Sequence, residues 1–153
     1  MGSAETLRQG VAADADAIRG LTRAAYAKWV PVIGREPKPM TADYAAALTQ
    51  HRFDLLHVDG KLAALIETVA QAEHLLIENV AVAPVFQGRG LGRKLMAHAE
   101  ALAAASGLRE MRLYTNKRFA GNIGLYESLG YRVDREEAFL GGFAVYMSKA
   151  IRA

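Results

Sequence analysis

The chain has 153 residues, with 19 Lys and Arg against 16 Asp and Glu, a net charge of +3 and no cysteine. That length suits a single domain over residues 1–153, burying roughly two thirds of its unfolded surface. The missing cysteines exclude disulfides, a thiolate metal site and a cysteine nucleophile; the small charge makes no case for nucleic acid, and no apolar run reaches the ~18 residues of a membrane span.

The opening MGSAETLRQG lacks a basic region followed by an apolar one, so it does not read as a signal peptide, and a reducing cytoplasm is expected. Residues 5–9 read as a first strand. Asp14 suits the N-cap of a helix over 14–29, in which Ile18, Leu21, Ala25 and Trp29 recur at helical spacing as the buried stripe. Pro31, Gly34, Pro37 and Pro39 then forbid regular structure, and Thr41 can cap a short helix ending at Leu48. A strand over 53–58 and its return over 61–70 flank Asp59-Gly60, a turn signal of the type I′ kind. A fourth strand starts at Glu73 or His74 and stops at Ala83, before Pro84. The spacing of Leu91, Leu95, Ala99 and Leu102 predicts a helix over 89–106 with Gly107 at C′. A strand over 110–115, a helix over 120–129 closed by Gly130, and strands over 131–134 and 143–148 complete the chain. The order βααβββαβαββ, antiparallel early and with a helical crossover later, predicts an α/β fold on a mixed sheet.

The most informative segment is IENVAVAPVFQGRGLG, residues 77–92: a strand, a proline stop, a glycine turn and the start of a helix. Glycines let a ligand approach backbone N–H groups, the helix adds the positive end of its dipole, and Arg89 and Arg93 add charge. Together they suit a pyrophosphate. A P-loop is excluded because no Gly-Lys-Ser/Thr triplet occurs; the spacing of Gly88, Gly90 and Gly92 is G-x-G-x-G rather than the Rossmann G-x-G-x-x-G, and Glu110 begins a strand rather than ending one. His51, His57, His74 and His98 have no metal-ligand spacing and read as scattered surface or strand-end residues.

The string Val82-x-Pro84-x-x-Gln87-Gly88-x-Gly90-x-Gly92 resembles the acetyl-CoA-binding segment of the GNAT superfamily of N-acetyltransferases. Downstream, Asn122-Ile123-Gly124-Leu125-Tyr126-Glu127-Ser128-Leu129-Gly130-Tyr131 resembles the family's N-x-x-L-Y-x-x-x-G-F/Y segment. The likeness is close over residues 62–133 and loose elsewhere. It implies the GNAT fold, in which the strand before the glycine turn and the strand after the helix splay apart to admit coenzyme A. It implies acetyl-CoA as acyl donor, with no metal. Val80, Ala81 and Val82 would run along the pantetheine, and Gln87, Gly88, Arg89, Gly90, Leu91, Gly92 and Arg93 would surround the pyrophosphate. Asn116, Asn122 and Tyr126 would lie near the reacting end.

Moving an acetyl group from a thioester to an amine needs a neutral amine, a stabilised oxyanion and a proton for the departing thiolate, but no enzyme nucleophile. Tyr126 is the candidate proton donor; it shares a helix face with Asn122, while Leu125 and Leu129 form a second face that reads as core. The alternative for Tyr126 is a core aromatic with a satisfied hydroxyl. Glu78 is the leading candidate base, with residues 76, 78, 80 and 82 expected on one strand face; its alternative is a solvated edge residue or a partner for Arg112. Glu67 is the reserve. Asn116 is equally a contact to acceptor or pantetheine and a plain strand-end residue. Arg35, Glu36 and Lys38 lie where this fold walls the acceptor site, and Tyr26, Trp29 and Tyr44 read as core or rim. Two departures from the family pattern stand out. Phe119 occupies the place of an asparagine many members carry, and Tyr114 the place of a glutamate found in members acting on ribosomal-protein N-termini. The expected partners are acetyl-CoA and an amine of a small molecule or peptide, without nucleic acid or membrane; a homodimer is an open alternative. A non-catalytic acyl-CoA-binding module is the competing reading, and a nucleotide-binding protein of another kind the third.

Overall fold

The computed structural model describes residues 4–151. Its centre is a seven-stranded sheet built from β1 (Glu5–Gln9), β2 (Arg52–Val58), β3 (Lys61–Ala70), β4 (His74–Val82), β5 (Glu110–Asn116), β6 (Arg132–Phe139) and β7 (Gly142–Ala150), in the order β1-β2-β3-β4-β5-β7-β6. Neighbours are antiparallel except β4 and β5, which run parallel and are joined through helix α5 (Leu91–Ala105). The mixed sheet predicted from element order is therefore present.

The helices between β1 and β2 depart from expectation in detail. Regular helix α1 covers Ala15–Tyr26, and a 3-10 turn over Ala27–Trp29 tightens its end. Asp14 makes no side-chain cap to α1; its carboxylate accepts from the Val11 N–H and from the Arg8 guanidinium instead. The proline-rich stretch is not irregular: it holds two one-turn helices, α2 (Val30–Ile33) and α3 (Lys38–Thr41). Pro31 and Pro39 sit in their first turns, where a missing N–H breaks no helical bond. The cap of the next helix, α4 (Tyr44–Ala47), is Asp43 rather than Thr41, with the Asp43 side chain accepting from Ala46 N at 3.1 Å. Helix α6 is Ala120–Ser128.

At the C-terminus, β6 runs five residues beyond its predicted end at Asp134, to Phe139. The stretch DREEAF hides a strand because both faces of β6 are exposed at the sheet edge. Same-face pairs Arg132–Asp134 and Arg135–Glu137 occupy that edge, and charge there discourages pairing with another chain.

Two clusters cover the sheet. On one face Leu91, Leu95, Met96, Ala99 and Ala103 of α5 pack on Leu75, Ile77, Met111 and Leu113. Leu102, expected in that stripe, is only half-buried; Met96 and Ala103 complete the buried face instead. On the other face Ile18, Leu21 and Ala25 of α1 and Tyr44 of α4 pack on Phe53, Leu55, Leu65 and Ala81.

The strand predicted to carry one uninterrupted face is broken. In the β3–β4 register Glu67 faces Asn79 and Thr68 faces Ile77, so Glu78 is the extra residue of a β-bulge. The bulge shifts the alternation by one position. Leu75 and Ile77 join the α5-side cluster, but beyond the bulge it is Val80 and Val82 that pack there, while Ala81 turns to α1. Residues 76, 78, 80 and 82 therefore do not share a face.

A candidate donor cleft and acceptor cavity

β4 and β5 pair only from His74↔Glu110 to Ile77↔Leu113. Beyond Ile77, β4 keeps only β3 and β5 keeps only β7, so the two strands part and leave a wedge between Glu78–Val82 and Tyr114–Asn116. Two cavities occupy it.

The first, about 350 Å³, lies over the glycine turn. Gly88 and Gly90 have φ of +81° and +77°, a conformation that side chains strain to adopt, and a Cβ on either would meet nothing within 4 Å. Gly90 caps α5 with no side chain. Among the described residues no acceptor meets the backbone N–H of Gly88, Arg89, Gly90, Leu91, Gly92 or Arg93; the ladder of α5 begins with Lys94 N donating to Gly90 O. A run of unpaired donors at the positive end of a 15-residue helix is a cradle for an anion. Val80, Ala81, Val82, Gln87, Leu91, Gly92, Arg93, Asn122 and Tyr126 line the same cleft. Gln87 is folded inward, its Nε2 donating to Val82 O at 3.0 Å. Arg93 reaches Ser128 Oγ and so ties α5 to α6, while Arg89 lies over the Phe86 ring outside the lining. Sequence reasoning did not single out Lys28, Phe86, Met96 or Ala25 as cleft residues, and it placed Leu125 in the core; Leu125 faces the cleft instead.

The second cavity, about 330 Å³, lies on the far side of the wedge. Its walls are mostly apolar and aromatic, with Glu67 and Glu78 among them and Arg35 and Lys38 on the α2–α3 loop side. Asn116, grouped by sequence with the donor residues, lies here, and its Oδ1 accepts from Arg118 N at 2.9 Å. Glu78 does not pair with Arg112, which bonds Glu110; Glu78 Oε1 accepts from the Tyr114 hydroxyl at 2.8 Å. Burial and then that bond to Glu78 push the Tyr114 phenol up. Glu67 is buried, at 4% exposure, and its Oε2 lies 2.6 Å from His51 Nδ1; burial raises its carboxyl above the ordinary range, opposed by His51.

The two cavities meet at Tyr26, Val80, Asn122 and Tyr126, which line both. Tyr26 donates toward Asn79 Oδ1 at 2.8 Å and Val80 O at 3.2 Å. Trp29 of the cleft stacks on Phe119 of the cavity at 4.4 Å, forming part of the partition. The Tyr126 hydroxyl has no hydrogen-bond partner among the described residues, and burial pushes its phenol up to about 12.

Residues 18–131 match the model of the Acetyltransferase (GNAT) family. The chain belongs to the GNAT acetyltransferase family. The GNAT chain is 39% identical over 71 residues to the mouse protein N-alpha-acetyltransferase 80, a match covering 46% of this chain and 21% of that one. It is 37% identical over 76 residues to a ribosomal protein bS18-alanine N-acetyltransferase from Salmonella typhimurium, covering 50% and 51% of the two chains. The matches thus span about half or less of these relatives' length. In fold it is similar to the PaiA N-acetyltransferase of Thermoplasma acidophilum in complex with coenzyme A, at a TM-score of 0.83 and 18% identity over 97% of this chain and 99% of that one. It is also similar to the ribosomal-protein-S18-alanine N-acetyltransferase of Escherichia coli, at 0.81 and 24% over 98% and 96%. Among the described residues no helix is long and apolar enough to cross a membrane, and no group of His, Asp or Glu is placed to hold a metal ion.

Proposed function

We propose that this GNAT domain, taken as residues 1–153, transfers an acetyl group from acetyl-CoA to a primary amine held in the second cavity. The observation that carries the reading is the junction: a cradle of unpaired N–H groups opens, past Tyr126, into a cavity with carboxylates in its wall. The names of relatives support the class of reaction, and the Thermoplasma structure with coenzyme A supports the donor.

The donor fits the cleft on chemical grounds. Six N–H groups, from Gly88 to Arg93, suit its pyrophosphate, and the two left-handed glycines leave open the space a Cβ would fill. Val80, Ala81 and Val82 line the approach to the junction. Acetyl-CoA supplies an activated thioester; the remaining work falls to the chain. Tyr126 stays protonated near neutrality because burial disfavours its phenolate. Its hydroxyl is thus present at the junction to hydrogen-bond the sulfur and to pass its proton over as the C–S bond breaks. Glu78 stands in the wall of the amine cavity as a fixed negative charge and attracts the ammonium.

A small amine or an exposed peptide amine fits this reading, with Tyr114 in place of a glutamate arguing against ribosomal-protein N-termini. Release of coenzyme A thiol from acetyl-CoA, measured across a panel of amines and peptides, tests it. Turnover with at least one amine is expected. Tight acetyl-CoA binding without thiol release on any amine would leave a non-catalytic acyl-CoA-binding module.

A further inference from the structure

Acetyl transfer to an amine releases a proton: R–NH3+ and CH3CO–S–CoA give R–NH–COCH3, HS–CoA and H+. One N–H bond breaks to free the lone pair, the N–C bond forms and the C–S bond breaks. The thiolate takes a proton from Tyr126, whose hydroxyl is restored by the amine's second proton. The first proton still needs a base, a need that rests on the proposed acetyl transfer.

We propose that His51 takes this first proton through Nε2, with Glu67 as the positioning residue that holds the ring and balances the imidazolium. His51 lies just before β2 and Glu67 lies in β3, and the pairing Phe53↔Glu67 brings them together. The 2.6 Å contact uses His51 Nδ1. A carboxylate there only accepts, so the ring's proton belongs on Nδ1 and its lone pair on Nε2. Nε2 has no hydrogen-bond partner among the described residues, and the half-buried His51 side chain lines the amine cavity.

Glu67 is buried at 4% exposure, a burial that is costly for a carboxylate without a partner, and His51 is the partner within hydrogen-bond distance. An imidazole oriented by a buried carboxylate is an arrangement that makes a ring an effective base. Glu78, from β4, adds a second negative charge facing the pair. From the helices the neighbours are the phenols of Tyr44 and Tyr26, neutral near pH 7 because burial raises both. The opposing cations, Arg35 and Lys38, come from the α2–α3 side, and Arg35 is drawn to the Phe139 ring and the Glu36 carbonyl. Glu78 then anchors the ammonium while His51 deprotonates it.

The test uses full-length protein, acetyl-CoA, and phenethylamine, putrescine and alaninamide as probe amines, with thiol release followed from about pH 6 to about pH 10. His51→Gln should lose about 10²-fold in kcat/KM on the acid side, with the loss shrinking as free amine becomes abundant. Acetyl-CoA affinity by calorimetry and the melting temperature should hold. Imidazole added to His51→Ala should restore rate. Glu67→Gln, which keeps the wall's shape, should fall roughly tenfold in kcat with the same pH trend, and it carries the test if the His51 variants fold poorly. Glu78→Gln should raise the amine KM and leave the pH trend in place. A wild-type profile in the His51 variants, or a uniform loss that imidazole does not relieve, would overturn the assignment; a pH-dependent loss confined to Glu78→Gln would move the role there. A wild type that binds acetyl-CoA yet acetylates none of the three amines would overturn the acetyl-transfer reading, and this assignment with it.

Discussion

The Tyr126 hydroxyl lies between donor and acceptor cavities with no partner of its own among the described residues, and burial pushes its phenol up to about 12. A raised value keeps the proton on the oxygen at neutral pH, so the O–H form is the one that faces both cavities. Tyr126→Phe keeps the ring, including its tilted contact with Tyr131. It should cost ~10²–10⁴-fold in kcat while leaving acetyl-CoA affinity nearly unchanged, as single-turnover kinetics and calorimetry would establish. The residue scale also gives a stability prediction. Asp14, bonded by Arg8 and the Val11 N–H, is held well below its ordinary 3.8, at about 2. A depressed carboxyl adds stability that is complete above the unfolded value and is lost as pH falls through the folded one. Asp14→Asn should therefore lower the melting temperature at neutral pH, and the gap from wild type should close between about pH 4 and about pH 2. Residue types were partly legible here. Tyr126, Glu78 and Glu67 carry chemistry that a reader of the sequence can name. His51 was not legible, because its partner is 16 positions away and meets it only through the β2–β3 register.

At the scale of elements, the strand–turn–helix unit from β4 to α5 was almost fully written in the sequence. Its glycines, its proline stop and its apolar spacing are local signals. The bulge at Glu78 was not, because an extra residue in a strand is a property of the pairing with β3 and leaves no mark on composition. The same reasoning covers β6, whose charged stretch looks like a loop until β7 pairs with it. The one-turn helices around Pro31 and Pro39 escape a sequence reading for the opposite reason: proline reads as a breaker where it serves as a starter. The glycine turn yields the sharpest element-level prediction. Gly90 has φ of +77°, so Gly90→Val forces a β-branched residue into the left-handed region and should destabilise by roughly 1–2 kcal/mol or more. The space beside it is open, so the fold has room for the side chain, whereas a phosphate approaching the N–H groups of Leu91 and Gly92 does not. Thermal melting should show a moderate loss and calorimetry a larger one in coenzyme A affinity. An unchanged affinity in folded Gly90→Val protein would remove the turn from the binding site.

For the whole molecule, the decisive feature is that the sheet is continuous but joined weakly at its middle. β4 and β5 share only the register from His74 to Ile77, while each is paired along most of its length on its other side. Half of the sheet belongs with α1 and α4, and the other half closes through α6 and the β6–β7 hairpin. Contacts that bridge the wedge include Arg118 Nη1 donating to Val32 O at 2.8 Å, Trp29 stacked on Phe119, Tyr114 bonded to Glu78, and Arg35 over the Phe139 ring. A ligand that fills the wedge would touch Val80 and Val82 on one side and Asn122, Leu125 and Tyr126 on the other, and so brace both halves. Binding to the folded state alone stabilises it by about 2.7 kcal/mol at 100 times Kd. For a chain of this size that is a rise of about 5–11 °C in melting temperature. Coenzyme A should produce that shift, and ATP and NAD at the same excess should produce much less, since a pyrophosphate alone reaches only the glycine cradle. Hydrogen exchange locates the effect: added protection is expected in residues 80–93 and 120–129, on both sides of the gap. Protection confined to 87–93 would mean that the ligand rests on the turn without entering the wedge, and the junction at Tyr126 would then have no substrate to act on.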